Sequence, residues 1–163
     1  MRLATRLATG AEIKLIYAGE SASEGDWSEA LRATELGDVC ILRTHADAIS
    51  ELDNVLSNCS MGTRLYIAGP ESFIGAAMQV AQKYDMNSDE VQAEHCGSAA
   101  RRVYCVHCCT SQENVTTNVV LCPGCKAQLL VRDHYSRRLA AYMGVKADAE
   151  TPEKLPPIRT LWE

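Results

Sequence analysis

Four cysteines in two tight pairs are the residues of this sequence best suited to chemistry. Cys105 and Cys108 form a C-x2-C, thirteen residues follow, and Cys122 and Cys125 form a second C-x2-C. Four soft thiolates suit a tetrahedral ion, and each two-residue gap lets the chain turn so that both sulfurs of a pair face one point. The pattern reads as a closed structural zinc site. All four positions around the metal would be protein ligands, with none left for water or substrate, which argues against zinc hydrolysis. Iron in a rubredoxin-like site is the rival, because the same thiolates bind it. Lys126 and Cys109 stand just after the two pairs, where a redox knuckle would favour glycine. Cys109 also leaves a C-x3-C reading open; the symmetry of the second pair favours Cys108. His107, inside the first knuckle, reads as exposed rather than as a ligand.

The elements that must hold these sulfurs are short. Val103 and Tyr104 enter the first knuckle, and Val119–Leu121 and Leu129–Val131 read as strands flanking the second. Fifty residues bury too little for a self-sufficient core, so the metal is expected to make up the deficit. His134–Met143 reads as a helix closed by Gly144, with Tyr135, Leu139, Tyr142 and Met143 on one face. The tail that follows contains three prolines and cannot be helical throughout. Leu161 and Trp162 near its end suggest that it docks on this chain or on a partner.

Ahead of the cysteines the texture differs. Ile13–Ala18 reads as a buried strand, and Trp27 and Leu31 share a helical face. Val39–Leu42 is a second strand, followed by a helix capped by Asp47 and carrying Ile49, Leu52 and Leu56 at spacings of three and four. A third strand, Arg64–Ala68, runs through Gly69-Pro70-Glu71 into a helix with Phe73, Ala77, Val80, Ala81 and Tyr84 in one stripe. A short strand around Val91–Ala93 completes the series. This β-α-β-α-β-α-β order predicts an incomplete Rossmann-like parallel sheet flanked by helices, followed by a zinc ribbon, a helix and a tail. The expected division is an α/β domain at residues 11–98, a ribbon with its helix at 99–150, and an extended tail at 151–163. Ligands of such a sheet would sit near Gly19, Thr44 and Gly69. No G-x-G-x-x-G or P-loop follows any strand, so no cradle for a pyrophosphate is legible.

The formal charge of −5 and basic residues scattered apart from Arg101-Arg102 and Arg137-Arg138 give little support to nucleic-acid binding. The sequence lacks an apolar run of membrane-spanning length and an apolar core near its start, so a cytoplasmic protein is expected, with thiols reduced rather than paired. Arg137 and Arg138 could clamp a carboxylate or phosphate bidentately, or be a solvated face. Gly69 and Pro70 could border a nicotinamide pocket shared with a partner, or simply make a tight turn. His95, His107 and His134 lack a patterned carboxylate or nucleophile, Cys40 and Cys59 suit plain burial, and no catalytic constellation is visible.

Two stretches carry resemblances. LYIAGPESFIGAAMQVA and VQAEHCG, within about Ile13–Gly97, resemble the later part of the NAD(P)H-binding domain of ferredoxin-reductase-type enzymes such as phthalate dioxygenase reductase. Ala68 stands where that family has the cysteine beside the nicotinamide, Cys96 where it has phenylalanine, and the glycine-rich nucleotide loop has no counterpart. C-x2-C, C-P-G-C, L-L-V and HYSRRLAAYMGVKADAE together resemble the C-terminal segment of the small (DmmA-type, gamma) subunit of bacterial dimethylamine monooxygenase. That resemblance implies a subunit of an NADPH- and O2-dependent complex that converts a secondary amine to a primary amine and formaldehyde. It places zinc in this chain, and haem, FMN, a 2Fe-2S cluster and NADPH on haem-bearing and reductase partner subunits. Since the plant-type C-x4-C-x2-C spacing is absent, this chain is expected to be a non-catalytic bridge between those subunits. The competing expectations are an autonomous rubredoxin-like electron carrier and a zinc ribbon that binds nucleic acid or protein.

Overall fold

The computed structural model describes residues 12–19, 27–33, 37–152 and 154–162. Its elements run β1 (Lys14–Ala18), α1 (Ser28–Arg32), β2 (Asp38–Leu42), α2 (His45–Leu56), β3 (Leu65–Gly69), α3 (Glu71–Lys83) and β4 (Val91–His95). Five strands follow: β5 (Arg101–Cys105), β6 (Ser111–Val115), β7 (Val119–Leu121), β8 (Gln128–Ser136) and β9 (Ala141–Lys146). The chain forms two compact units, one of residues 1–67 with 80–92 and the other of residues 68–79 with 93–163, so that β3, α3 and β4 are divided between them.

In the first unit β1 pairs in parallel with β2, with Leu15 opposite Val39 and Tyr17 opposite Ile41. The crossover between them includes α1, a helix of five residues that buries none of them. Trp27, expected on the apolar face of that helix, precedes it and is 57% exposed. The next helix, α2, is capped by Thr44 rather than Asp47: Thr44 Oγ1 accepts the Asp47 N–H at 3.1 Å. The cap lies three residues earlier because an N-cap oxygen must reach a free N–H in the first turn, and Asp47 supplies that N–H. Ala48, Leu52 and Leu56 are the buried stripe of α2, and Lys14 reaches Glu51 at 2.9 Å. Asp53 accepts from both Lys83 Nζ (2.8 Å) and the Tyr84 hydroxyl (2.9 Å), which holds its carboxyl below the usual range. Cys59, expected to be buried, lies beyond the end of α2 and is exposed, while Cys40 on β2 is half-buried.

The order of elements before β5 is the alternating one, but the strands hydrogen-bond as two separate pairs, β1-β2 and β3-β4. Among the described residues they do not form the single sheet expected of a Rossmann-like unit. Each pair is only five residues long and closes locally through its own crossover, and such a pair specifies its neighbour but not the next strand.

The second unit is built on a five-stranded sheet in the order β6-β5-β9-β8-β7. Its centre is a parallel pair, β5 with β9, in which Val103 faces Tyr142 and Cys105 faces Gly144. Every other pairing in the sheet is antiparallel. Residues 134–143, expected to be a helix, are instead the end of β8, a tight turn and the start of β9. Tyr135 and Tyr142 are cross-strand partners with ring centroids 5.1 Å apart. Helical spacing would place these residues on one face two turns apart, whereas hairpin pairing sets their rings in contact; Ala140, at φ 47°, lies in the left-handed region and turns the chain back. Gly144 therefore sits inside a strand, where an added Cβ would lie 2.8 Å from Val103 Cγ1. A register shift between Val131 and Tyr135 marks a bulge in β8.

Val103, Val115 and Val131 form the core of this unit, with Val120, Tyr142 and Trp162 packed against it. The tail docks on its own chain. Thr160 bridges Thr117, the Leu161 and Trp162 N–H groups donate to Thr116 O, and Asn118 Oδ1 accepts from the Arg159 N–H at 2.7 Å. Arg101 is held between two rings, its guanidinium 3.8 Å from the centroid of Tyr142 and 3.9 Å from that of Trp162, and it pairs with Asp133 at 2.7 Å. Tyr142 donates its hydroxyl hydrogen to Glu71 at 2.7 Å. Burial first, and this hydrogen bond second, push the phenol up to about 12. Because that lies above the ~10 of an unfolded tyrosine, its contribution to stability is intact below pH ~10 and fades as the pH rises through the folded value. A tyrosinate absorbance titration is expected to show a last step near 12 that Tyr142→Phe removes. Titration of all tyrosines together near ~10 with the fold intact would contradict it.

Candidate metal centre

Both knuckles are made by the same local device. Cys105 is the last residue of β5, and its carbonyl accepts the Cys109 N–H at 2.9 Å; Cys122 follows β7, and its carbonyl accepts the Lys126 N–H at 3.1 Å. The return bonds match, from Cys105 N–H to Thr110 O and from Cys122 N–H to Ala127 O, each 2.9 Å. Cys109 and Lys126 occupy equivalent places, and both are left-handed, at φ 63° and 61°. The backbone thus adopts at both points the conformation for which glycine is suited, although neither residue is glycine. Releasing that strain is expected to stabilise the module: Lys126→Gly should raise its unfolding free energy by about 1 kcal/mol, read from the denaturant midpoint. A midpoint that falls would show that the Lys126 Nζ contact to Pro123 O, 2.9 Å, outweighs the backbone term.

The geometry decides between the two cysteines at the first knuckle. Cys108 points into the cluster, whereas Cys109 is turned outward by its left-handed backbone and is exposed. The sulfurs of Cys105, Cys108, Cys122 and Cys125 lie within 4.8 Å of one another. Cys105 and Cys125 are 3.8 Å apart at sulfur, and Cys108 and Cys122 3.5 Å. Four thiolates around an ion at bonds of about 2.3 Å would stand about 3.8 Å apart, so the donor set is grouped closely enough to hold a tetrahedral metal. His107 is exposed on the outside of the knuckle, and His95 and His134 are exposed as well.

Cys105 and Cys122 are fully buried with Leu129, and Val120 and Ala127 pack against them, so the cluster is also a hydrophobic core. Burial pushes the Cys105 thiol up to about 11, although the Cys108 and His107 N–H groups donate to it. Cys108 is drawn down to about 6 by the Thr110 hydroxyl, 3.3 Å away, and by the Thr110 N–H. A bound cation would let all four sulfurs ionise together. Gly124, in the C-P-G-C turn, lies so close that an added Cβ would sit 2.4 Å from Thr110 Oγ1 and 3.1 Å from Cys108 Sγ. Thr110 was not singled out from the sequence, and Gly124 entered only as part of the C-P-G-C motif.

These features define a four-cysteine ribbon protein with an α/β segment ahead of the ribbon. Residues 1–91 match the N-terminal domain, and residues 102–145 the C-terminal domain, of the dimethylamine monooxygenase subunit DmmA-like proteins. The chain belongs to that family and is a DmmA-type small subunit. It is 36% identical over 107 residues to the heme-dependent oxidative N-demethylase delta subunit of Ectopseudomonas mendocina (strain ymp). The match covers 66% of this chain and 61% of that relative, whose subunit letter is delta and not gamma. No solved structure matches the chain.

Proposed function

We propose that this chain is the zinc-binding, non-catalytic small subunit of an NADPH- and O2-dependent N-demethylating monooxygenase that converts dimethylamine to a primary amine and formaldehyde. The observation that carries the reading is a cluster of four cysteine sulfurs, enough to fill the coordination of a tetrahedral ion, in a chain belonging to a monooxygenase-subunit family. Cys105, Cys108, Cys122 and Cys125 would hold the ion. A metal so enclosed supplies folding energy rather than a place for substrate.

In this reading residues 11–98 are the remnant of a reductase nucleotide domain, residues 99–150 the metal module and residues 151–163 its tail. Haem, FMN, a 2Fe-2S cluster and the NADPH site belong to partner subunits, which this chain bridges. Thiolates that must stay reduced fit a cytoplasmic setting. The test is expression of the chain together with the genes beside its own. Stoichiometric zinc and co-purification with a haem protein and a flavoprotein are expected; stoichiometric, reducible iron, or purification of the chain without any such partner, would overturn the reading.

A further inference from the structure

The charge of this protein is partitioned. Residues 1–100 carry seven basic and fifteen acidic side chains, whereas residues 101–146 carry seven basic and only two acidic ones. Both carboxylates of the ribbon are already engaged, Asp133 by Arg101 at 2.7 Å and Glu113 by Arg102 at 2.9 Å. Lys146 finds Asp148 at 3.5 Å. That leaves Arg132, Arg137, Arg138 and Lys126 without a carboxylate among the described residues. Three of these four lie on one hairpin, in the β8 bulge and in the β8–β9 turn, and all three are exposed. Arg132 also lines an open depression with Leu130, Val131, Asp133 and His134.

The hairpin is held rather than loose. Gln79 donates to the Arg138 carbonyl at 2.6 Å. Gly75 of α3 admits the turn so closely that an added Cβ would lie 2.4 Å from the Tyr135 hydroxyl and 2.7 Å from the Ala140 Cβ. On this clamped turn the consecutive residues Arg137 and Arg138 can offer guanidiniums to planar, bidentate acceptors with little backbone freedom lost on engagement.

We infer that the β8–β9 hairpin, through Arg132, Arg137 and Arg138, is the surface by which this subunit docks on a carboxylate-rich face of a partner subunit. The inference rests on the proposed place of the chain in a hetero-oligomer and names the surface that place requires. A protein partner is favoured over nucleic acid because the chain belongs to a family of monooxygenase subunits and the guanidinium fork matches a carboxylate bidentately. Carboxylates bound by exposed arginines accelerate association and select the partner, and both effects weaken with salt.

The test is capture of the sister subunits by the tagged full-length chain after co-expression. Arg137→Glu/Arg138→Glu is expected to weaken capture at least tenfold. Arg43→Glu/Lys154→Glu, an equal change of charge at exposed residues outside the ribbon, should capture as the native chain does, and metal content should be the same in all three. Capture by the native chain should also fall as salt rises. If the native chain captures the subunits and Arg137→Glu/Arg138→Glu captures them equally well, the docking surface is wrong and the functional reading stands. If the native chain captures none, the functional reading fails and the surface falls with it. Salt-sensitive self-association of the chain alone, or binding to duplex DNA, would assign the hairpin to a second copy or to phosphate and overturn the inference.

Discussion

Replacing Cys122 with serine is expected to unfold the module from β5 to β9 and to abolish stoichiometric metal binding. Cys122 is fully buried beside Cys105 and Leu129, so the substitution removes a soft ligand and leaves a hydroxyl in an apolar pocket. The fully apolar core available to hold the sheet without metal is small: Val103, Val115, Val119, Leu129 and Val131, with Ala140 and Ala141. Metal binding worth about 10–16 kcal/mol in small zinc modules is comparable with the whole burial gain of such a core, at about 1.5–3 kcal/mol per buried valine or leucine. Amide hydrogen exchange is the appropriate measurement. Protection of β5, β7 and β8 should be lost, while α2, which belongs to the other unit, keeps its own. Cys109→Ser, at an exposed position turned away from the cluster, should change neither protection nor metal content. A Cys122→Ser protein with unchanged protection in β7 and β8 would show that the ribbon does not depend on a metal.

Trp162→Ala should be the second most damaging change. The ring packs on Val103, Val115 and Val131 and stacks on the Arg101 guanidinium at 3.9 Å. A fully buried tryptophan costs about 3–5 kcal/mol on truncation; this one is half-buried, and a loss of about 2–3 kcal/mol is expected. The three hydrogen bonds from Arg159, Leu161 and Trp162 to Asn118 and Thr116 then hold the tail without an anchor, so proteolysis should begin there. Trp162→Phe, which keeps a ring over Arg101, should recover part of the loss. Equal midpoints for the native chain and Trp162→Ala, within about 0.5 kcal/mol, would show that the tail merely lies on the ribbon.

How much of this was legible beforehand depended on the range of the interactions involved. Cys105, Cys108, Cys122 and Cys125 could be named because a C-x2-C is a local device: its turn and its sulfurs are specified within a few residues. The apolar stripes of α2 and α3 were equally local, set by spacings of three and four. The same spacing misled at Tyr135, Leu139, Tyr142 and Met143. A helix would put Tyr135 and Tyr142 on one face and a hairpin pairs them directly, and the parallel pairing of β9 with β5, across more than thirty residues of chain, favours the strand. Strand β6 escaped notice because Ser111–Val115 buries only Val115 fully and carries polar residues at its other positions.

The sequence by itself determined the two cysteine pairs that could hold a metal, up to the choice between Cys108 and Cys109, the positions of the first three strands and the succession of an α/β segment and a ribbon, because each depends on neighbours along the chain. Tertiary structure alone decided that Cys108 and not Cys109 faces the cluster, that the tail closes over Arg101, and that, among the described residues, β1-β2 and β3-β4 are separate pairs. Those outcomes depend on which distant surfaces meet, and a one-dimensional pattern of polar and apolar residues is compatible with more than one such meeting.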